Sequence, residues 1–175
     1  MGSKKIQIVF NSSIDFTKLG GGEKIASIQK GLKEIIPVYY SKNFQQNTNP
    51  LLLSGKGHGV FSFFGIVKET QKPEVLVDDL FIEVYNKGKV DICEGILAHE
   101  YGHYVDDCHG TRHMDDYECR LKADFTADKY GAEATTKKIL IESIKYVREY
   151  FAGLNNRNYA ASIKMLDERL ARLEK

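Results

Sequence analysis

The sequence predicts an α+β domain, and three observations predict it. Short runs that alternate apolar and polar residues crowd the chain as far as Tyr85. From Asp91 to the end the apolar residues recur at helical spacing and no proline interrupts them. One further stretch of helical spacing, among the strands, is bounded by Gly20-Gly21-Gly22 and Pro37. At 175 residues the chain is most simply one domain with a substantial core. It divides into an upper part, 1–107, holding the sheet, and a helical lower part, 108–175.

In order, Lys5 to Phe10 puts Ile6, Ile8 and Phe10 on one side of a half-buried strand. Asn11-Ser12-Ser13 turns the chain. A helix is expected from Glu23 to Ile36, with Ile25, Ile28, Leu32 and Ile35 on one face and Pro37 ending it. This is the helix expected to back the sheet. Val38-Tyr39-Tyr40 begins a second strand, and Lys42 to Pro50 is a polar loop. Leu51-Leu52-Leu53 reads as a strand before Ser54-Gly55-Lys56-Gly57-His58-Gly59. Neither glycine-rich segment has the Gly-Lys-Ser/Thr ending of a phosphate-binding loop, and His58 reads as solvated.

Val60–Val67 and Val75–Tyr85 read as two more strands, and Asn86-Lys87-Gly88-Lys89 turns into the next helix. The strand preceding that helix either offers a free edge to an extended peptide or is paired on both sides; pattern alone does not separate the two. Beyond residue 107, Asp115 or Asp116 caps a helix to about Ala134. Thr135 or Thr136 caps another through Phe151, Gly153-Leu154-Asn155-Asn156 breaks it, and Ala160 to Leu173 is the last.

A formal net charge of +1 argues against nucleic acid or an anionic membrane as the main partner. The longest mostly apolar run, Val60 to Val67, is too short to span a bilayer. Met1-Gly2-Ser3-Lys4-Lys5 leads into an apolar stretch shorter than a signal-peptide core. The three cysteines, Cys93, Cys108 and Cys119, lack a disulfide-framework spacing and read as structural or inert thiols. A reducing, cytoplasmic setting is therefore expected.

The chemistry centres on His99-Glu100-Tyr101-Gly102-His103. Histidines four apart on a helix stand on one face, so both imidazoles can converge on one Zn²⁺. Glu100 stands beside the first histidine, where it can act on water without binding the ion, as the general base of a zinc peptidase does. Ile92, Ile96 and Leu97 supply the apolar face that seats this helix on a core.

A catalytic zinc needs a third protein ligand and an open position. The candidates are Asp124, Glu118 six residues before it, and His109. His109 stands at the metzincin spacing, but Asp106 occupies the place of that family's helix-breaking glycine. Cys108 or His113 would instead close the shell and make a structural site. Asp124 and Asp128, four apart, share a helix face, so one can meet a metal and the other a ligand's outer N–H. Asp124 ranks first, then His109, then Glu118.

The stretch Asp124-Phe125-Thr126-Ala127-Asp128-Lys129-Tyr130-Gly131 resembles the E-x-x-A-D element of gluzincin peptidases, notably the HtpX and CAAX-prenyl-protease-like family and its soluble minigluzincin relatives. Leu166-Asp167-Glu168-Arg169-Leu170-Ala171-Arg172-Leu173 is similar to that family's final E-R-x-x-x-L helix. The resemblance covers Ile92 onward. It implies a zincin-like fold, a zinc ligand at Asp124 and a histidine-buttressing role for Asp128. This chain departs from the pattern in having aspartate where the family has glutamate. Aspartate reaches about 1.5 Å less, one carbon–carbon bond, so either the second helix lies closer, or Asp124 is not the ligand, or the site is weakened.

Together these residues predict a zinc endopeptidase acting on extended protein or peptide substrates. Its ligands are His99, His103 and Asp124, with Glu100 as base and Asp128 as orienter. The alternatives are a zincin-like module that binds protein with little turnover, and a structural zinc site. Tyr101, Tyr104, Tyr117 and Tyr130 are each able to stabilise a tetrahedral intermediate, and nothing in the sequence selects one.

Overall fold

The computed structural model describes residues 5–42, 61–67, 69–107 and 117–175. Within them, β1 (Ile6–Phe10), β2 (Lys24–Lys30), β3 (Lys33–Tyr40), β4 (Ser62–Ile66) and β5 (Pro73–Val77) form one sheet in the order β1-β2-β3-β5-β4. The β3–β5 pair is parallel and the others are antiparallel. Then come α1 (Asp79–Asn86), α2 (Val90–Asp107), α3 (Tyr117–Ala134), α4 (Lys137–Gly153) and α5 (Ala160–Leu173). The α+β class and the helical C-terminal part match expectation. The expected strand at 51–53, the loop carrying His58, and Cys108, His109, His113, Asp115 and Asp116 lie outside the described residues.

The helix expected over Glu23–Ile36 is instead the β2–β3 hairpin. Lys30 pairs with Lys33 across the two-residue turn Gly31-Leu32, and Gly31 has φ +66° at its first position. That is the glycine-first turn that matches strand twist. Burial explains the outcome. Ile25, Ala26, Ser27 and Ile28 are all buried, so β2 is covered on both faces, while Leu32, expected on the apolar face, is fully exposed. A buried Ile or Val side chain stabilises by about 1.5–3 kcal/mol. Helix-propensity differences among ordinary residues reach only about 0.7 kcal/mol. Packing therefore decides, and Pro37 sits inside β3 opposite Ser27 rather than ending a helix.

The expected strand Val75–Tyr85 is two elements. β5 stops at Val77, and Asp78 caps α1 by accepting the Phe81 N–H at 3.2 Å. Phe81, Ile82 and Val84 then pack into the main core. Two acids in a row, Asp78-Asp79, marked this start. β5 is also not an edge: it lies between β3 and β4, and among the described residues the edges are β1 and β4.

No helix backs the sheet from the N-terminal side among the described residues. Its cover comes from helices that follow the strands: α1, and α2 through Cys93, Ile96 and Leu97. A smaller core of Leu140, Ile144, Phe151 and Leu166 joins α4 to α5. Both helices start or stop where expected, with Thr136 capping α4 through the Ile139 N–H and Asn155 at φ +46° beyond its end. Among the described residues, no helix is long and apolar enough to cross a membrane.

Candidate metal centre

The site is made by two helices that nearly touch. A methyl group on Gly102 of α2 would fall on the Ala127 carbonyl of α3. One on Gly131 of α3 would stand 2.9 Å from the Ala98 carbonyl oxygen, and one on Gly95 would stand 2.6 Å from Ser143 Oγ of α4. Residues without side chains therefore set the approach of α2 to its neighbours. The backbone of α3 that carries Asp124 is thereby brought close to α2.

At this crossing the Nε2 atoms of His99 and His103 are 3.0 Å apart. Asp124 Oδ1 is 3.7 Å from the first and 3.4 Å from the second. Atoms held about 2.0–2.1 Å from a tetrahedral zinc stand about 3.3–3.4 Å from one another. The three separations bracket that value, so the donor set fits one divalent ion. Among the described residues, these three are the His/Cys/Asp/Glu group able to share an ion. Glu118 is exposed in the first turn of α3 and does not join them. His109, Cys108 and His113 lie outside the described residues.

Behind these three residues is a buried ionic cluster. Asp128, 2% exposed, lies 2.8 Å from His99 Nδ1. Arg169 of α5 grips the same carboxylate with two bonds, Nε to Oδ2 at 2.8 Å and Nη2 to Oδ1 at 2.7 Å. Arg169 Nη2 is also 3.0 Å from His99 Nδ1. A bare Nδ1 lone pair would be repelled by the Asp128 carboxylate at 2.8 Å, so Nδ1 carries the hydrogen and Asp128 accepts it, Arg169 being committed to the carboxylate through two bonds. That leaves the Nε2 lone pair facing His103 and Asp124.

The charges balance in favour of an ionised Asp124. Burial pushes its carboxyl upward, but the Arg169 guanidinium, 3.7 Å away, and the two imidazoles hold it below the ordinary value. Asp128 is likewise held low, burial being outweighed by Arg169 and His99. For His103 burial opposes charge, yet the Asp124 hydrogen bond and the Glu100 and Asp124 charges leave its pKa raised.

Glu100 is buried at 6% exposure and stands outside the ligand set. Its Oε1 accepts the Ser62 hydroxyl of edge strand β4 at 2.6 Å. A cavity of about 270 Å³ opens beside Glu100, His99 and Asp124, and continues between α3, α4 and α5. Tyr117 lies on its wall with its hydroxyl donating to Glu168 Oε1 at 3.1 Å. Cys93 is far from this chemistry: burial pushes its thiol up to about 12, in keeping with an inert role.

Sequence reasoning did not single out three residues here. Arg169 stands in the C-terminal stretch already noted, but its carboxylate partner is 41 positions away. Ser62 carries no local signal. Arg120 went unnoticed, although its place one turn before Asp124 is a signal that could have found it. No protein-family model, curated protein or solved structure matches the chain, so the site is read from its own geometry.

Proposed function

We propose that the chain is a zinc-dependent metallopeptidase that cuts extended protein or peptide substrates. One observation carries this reading: His99, His103 and Asp124 converge at tetrahedral spacing while Glu100 is left beside them, outside the ligand set. The resemblance of both α2 and α3 to gluzincin motifs, and of α5 to the same family's last helix, supports it.

When bound, zinc supplies a Lewis acid that polarises a carbonyl and makes water more acidic. Glu100 takes a proton from the attacking water on a carboxylate oxygen and hands it to the amine nitrogen as the C–N bond breaks. Ser62 occupies Oε1 and so fixes the rotamer, leaving Oε2 to carry the proton. Asp128 and Arg169 hold His99 in the tautomer that presents Nε2. The substrate main chain adds to edge strand β4, which ends against Glu100 through Ser62.

Glu100→Gln tests the assignment. The variant should still take up one zinc per chain, while cleavage of an unfolded protein falls by about 10²–10⁴-fold. A variant that cleaves as well as the parent removes Glu100 from this role. Stoichiometric zinc in the parent chain without cleavage of any unfolded protein would leave a binding module in its place.

A further inference from the structure

The cavity beside the site carries a feature that the peptidase reading does not use. Most of its wall is apolar, including Phe61, Ile96, Ile144, Val147, Phe151 and Leu166. Into this wall α3 places Arg120. Its Nε–H is buried and meets no acceptor, and among the described residues no carboxylate pairs with its guanidinium. The other arginine on the cavity, Arg169, is committed to Asp128 through two bonds. A buried donor without a partner is costly, on the order of 1–3 kcal/mol. Natural folds retain such groups where something else satisfies them.

The position of Arg120 says what that is. It precedes Asp124 by one helical turn and shares its face, about 6 Å along the axis at 1.5 Å per residue. An extended peptide advances about 3.3–3.6 Å per residue. A group bound at Arg120 therefore lies one to two residues from a carbonyl held at the ligand cluster. A guanidinium fork matches a carboxylate with two parallel hydrogen bonds. The surrounding volume accepts a side chain up to aromatic size.

The geometry points to a carboxylate-recognition subsite: the cavity takes the substrate residue on the leaving-group side of the cleaved bond, and Arg120 pairs with a carboxylate of that residue. This rests on the peptidase reading for what the ligand is part of, but not for whether the carboxylate binds. The carboxylate has two sources. A Glu or Asp side chain would make the chain an endopeptidase selecting acidic residues. A free terminal carboxylate on a bulky apolar residue would make it an enzyme that trims C-termini.

Binding of small probes to the full-length chain separates these outcomes. The readout is the NMR signal of the Arg120 Nε–H, recorded with zinc and again with zinc chelated. One pair of probes is N-acetylphenylalanine and its amide; the other is N-acetylglutamic acid α-amide and N-acetylglutamine amide. A preference of about tenfold for the acid of the first pair, lost in Arg120→Met, assigns a terminal carboxylate. The same preference in the second pair, likewise lost, assigns an acidic side chain. Equal binding within both pairs overturns the proposal. So does an acid preference that survives in Arg120→Met, or one that vanishes with the zinc, since the carboxylate would then be meeting the ion. Should Arg120→Met not fold, the acid-versus-amide shift of the Arg120 signal in the parent chain decides alone. Zinc stoichiometry and the Glu100→Gln assay are read separately, so either idea can fail without the other.

Discussion

His99 works through both ring nitrogens. Nδ1 gives its hydrogen to Asp128, and Nε2 is thereby left as a lone pair beside His103 and Asp124. Asp128 holds the ring most strongly while ionised, and Arg169 keeps it so. Asp128→Asn keeps an acceptor for the imidazole but gives up the charge, and zinc affinity should fall by about 10–100-fold. Competition against a chromophoric chelator measures it; an unchanged affinity would mean that the ring is oriented by packing alone. Arg169→Met acts on stability instead, because it strands a buried carboxylate. Removing one partner of a buried pair costs about 3–5 kcal/mol, which urea unfolding of the chelated protein should register.

Between elements, the decisive fact is the spacing of α2 and α3. Glycine at 102 and 131 lets the backbones meet at Ala127 and Ala98, and on the proposed reading that approach is what allows the shorter aspartate to act as a ligand. Gly102→Ala should force the helices apart, costing about 1–3 kcal/mol as overpacking does, and should weaken zinc binding as well. In the Gly102→Ala background, Asp124→Glu should recover part of the lost affinity, because about 1.5 Å of extra reach spans the widened gap. Full zinc affinity in Gly102→Ala alone would show that the close approach does not set the ligand geometry. The same scale contains the main misreading. Apolar residues at 25, 28, 32 and 35 satisfy a helical period, yet 25, 28 and 35 fit a hairpin as well once Gly31 turns the chain and leaves Leu32 exposed in the turn. Period was ambiguous over so short a run, and Gly31 was the better guide, while Pro37 misled.

Across the whole molecule, Asp78 is where the sheet hands over to the helices. Burial pushes its carboxyl up to about 7, against the Phe81 N–H that favours the charged form. An unfolded aspartate titrates at about 3.9. Between those values the folded chain holds a proton that the unfolded chain has released, so stability should decline as pH rises through that window. Asp78→Asn keeps the cap and removes the titration; its pH profile should be flatter in urea unfolding of the chelated protein. An identical slope in the variant would place the dependence elsewhere. Zinc removal should abolish cleavage while the circular dichroism of the helices survives, since the main core of Ile25, Ile28, Ile36, Phe81 and Leu97 forms without the ion. Collapse of the fold on chelation would instead mark a structural site.

How much was legible follows from the range of each interaction. The two histidines, Glu100, and the Asp124–Asp128 pair each sit within one helix, so spacing alone revealed which could share a face. The last two helices were likewise written in local period and caps: α5 has the expected limits, and α4 runs two residues past the expected Phe151. The sheet order, the edge at β4, the Ser62–Glu100 bond and the Arg169 grip on Asp128 join residues tens of positions apart. Local pattern carries no record of such partners, because burial and pairing free energies arise only when separate elements meet. The amino-acid sequence by itself determined which side chains were equipped for metal chemistry. Tertiary packing decided whether an aspartate could reach, because that depends on how near two backbones are allowed to come.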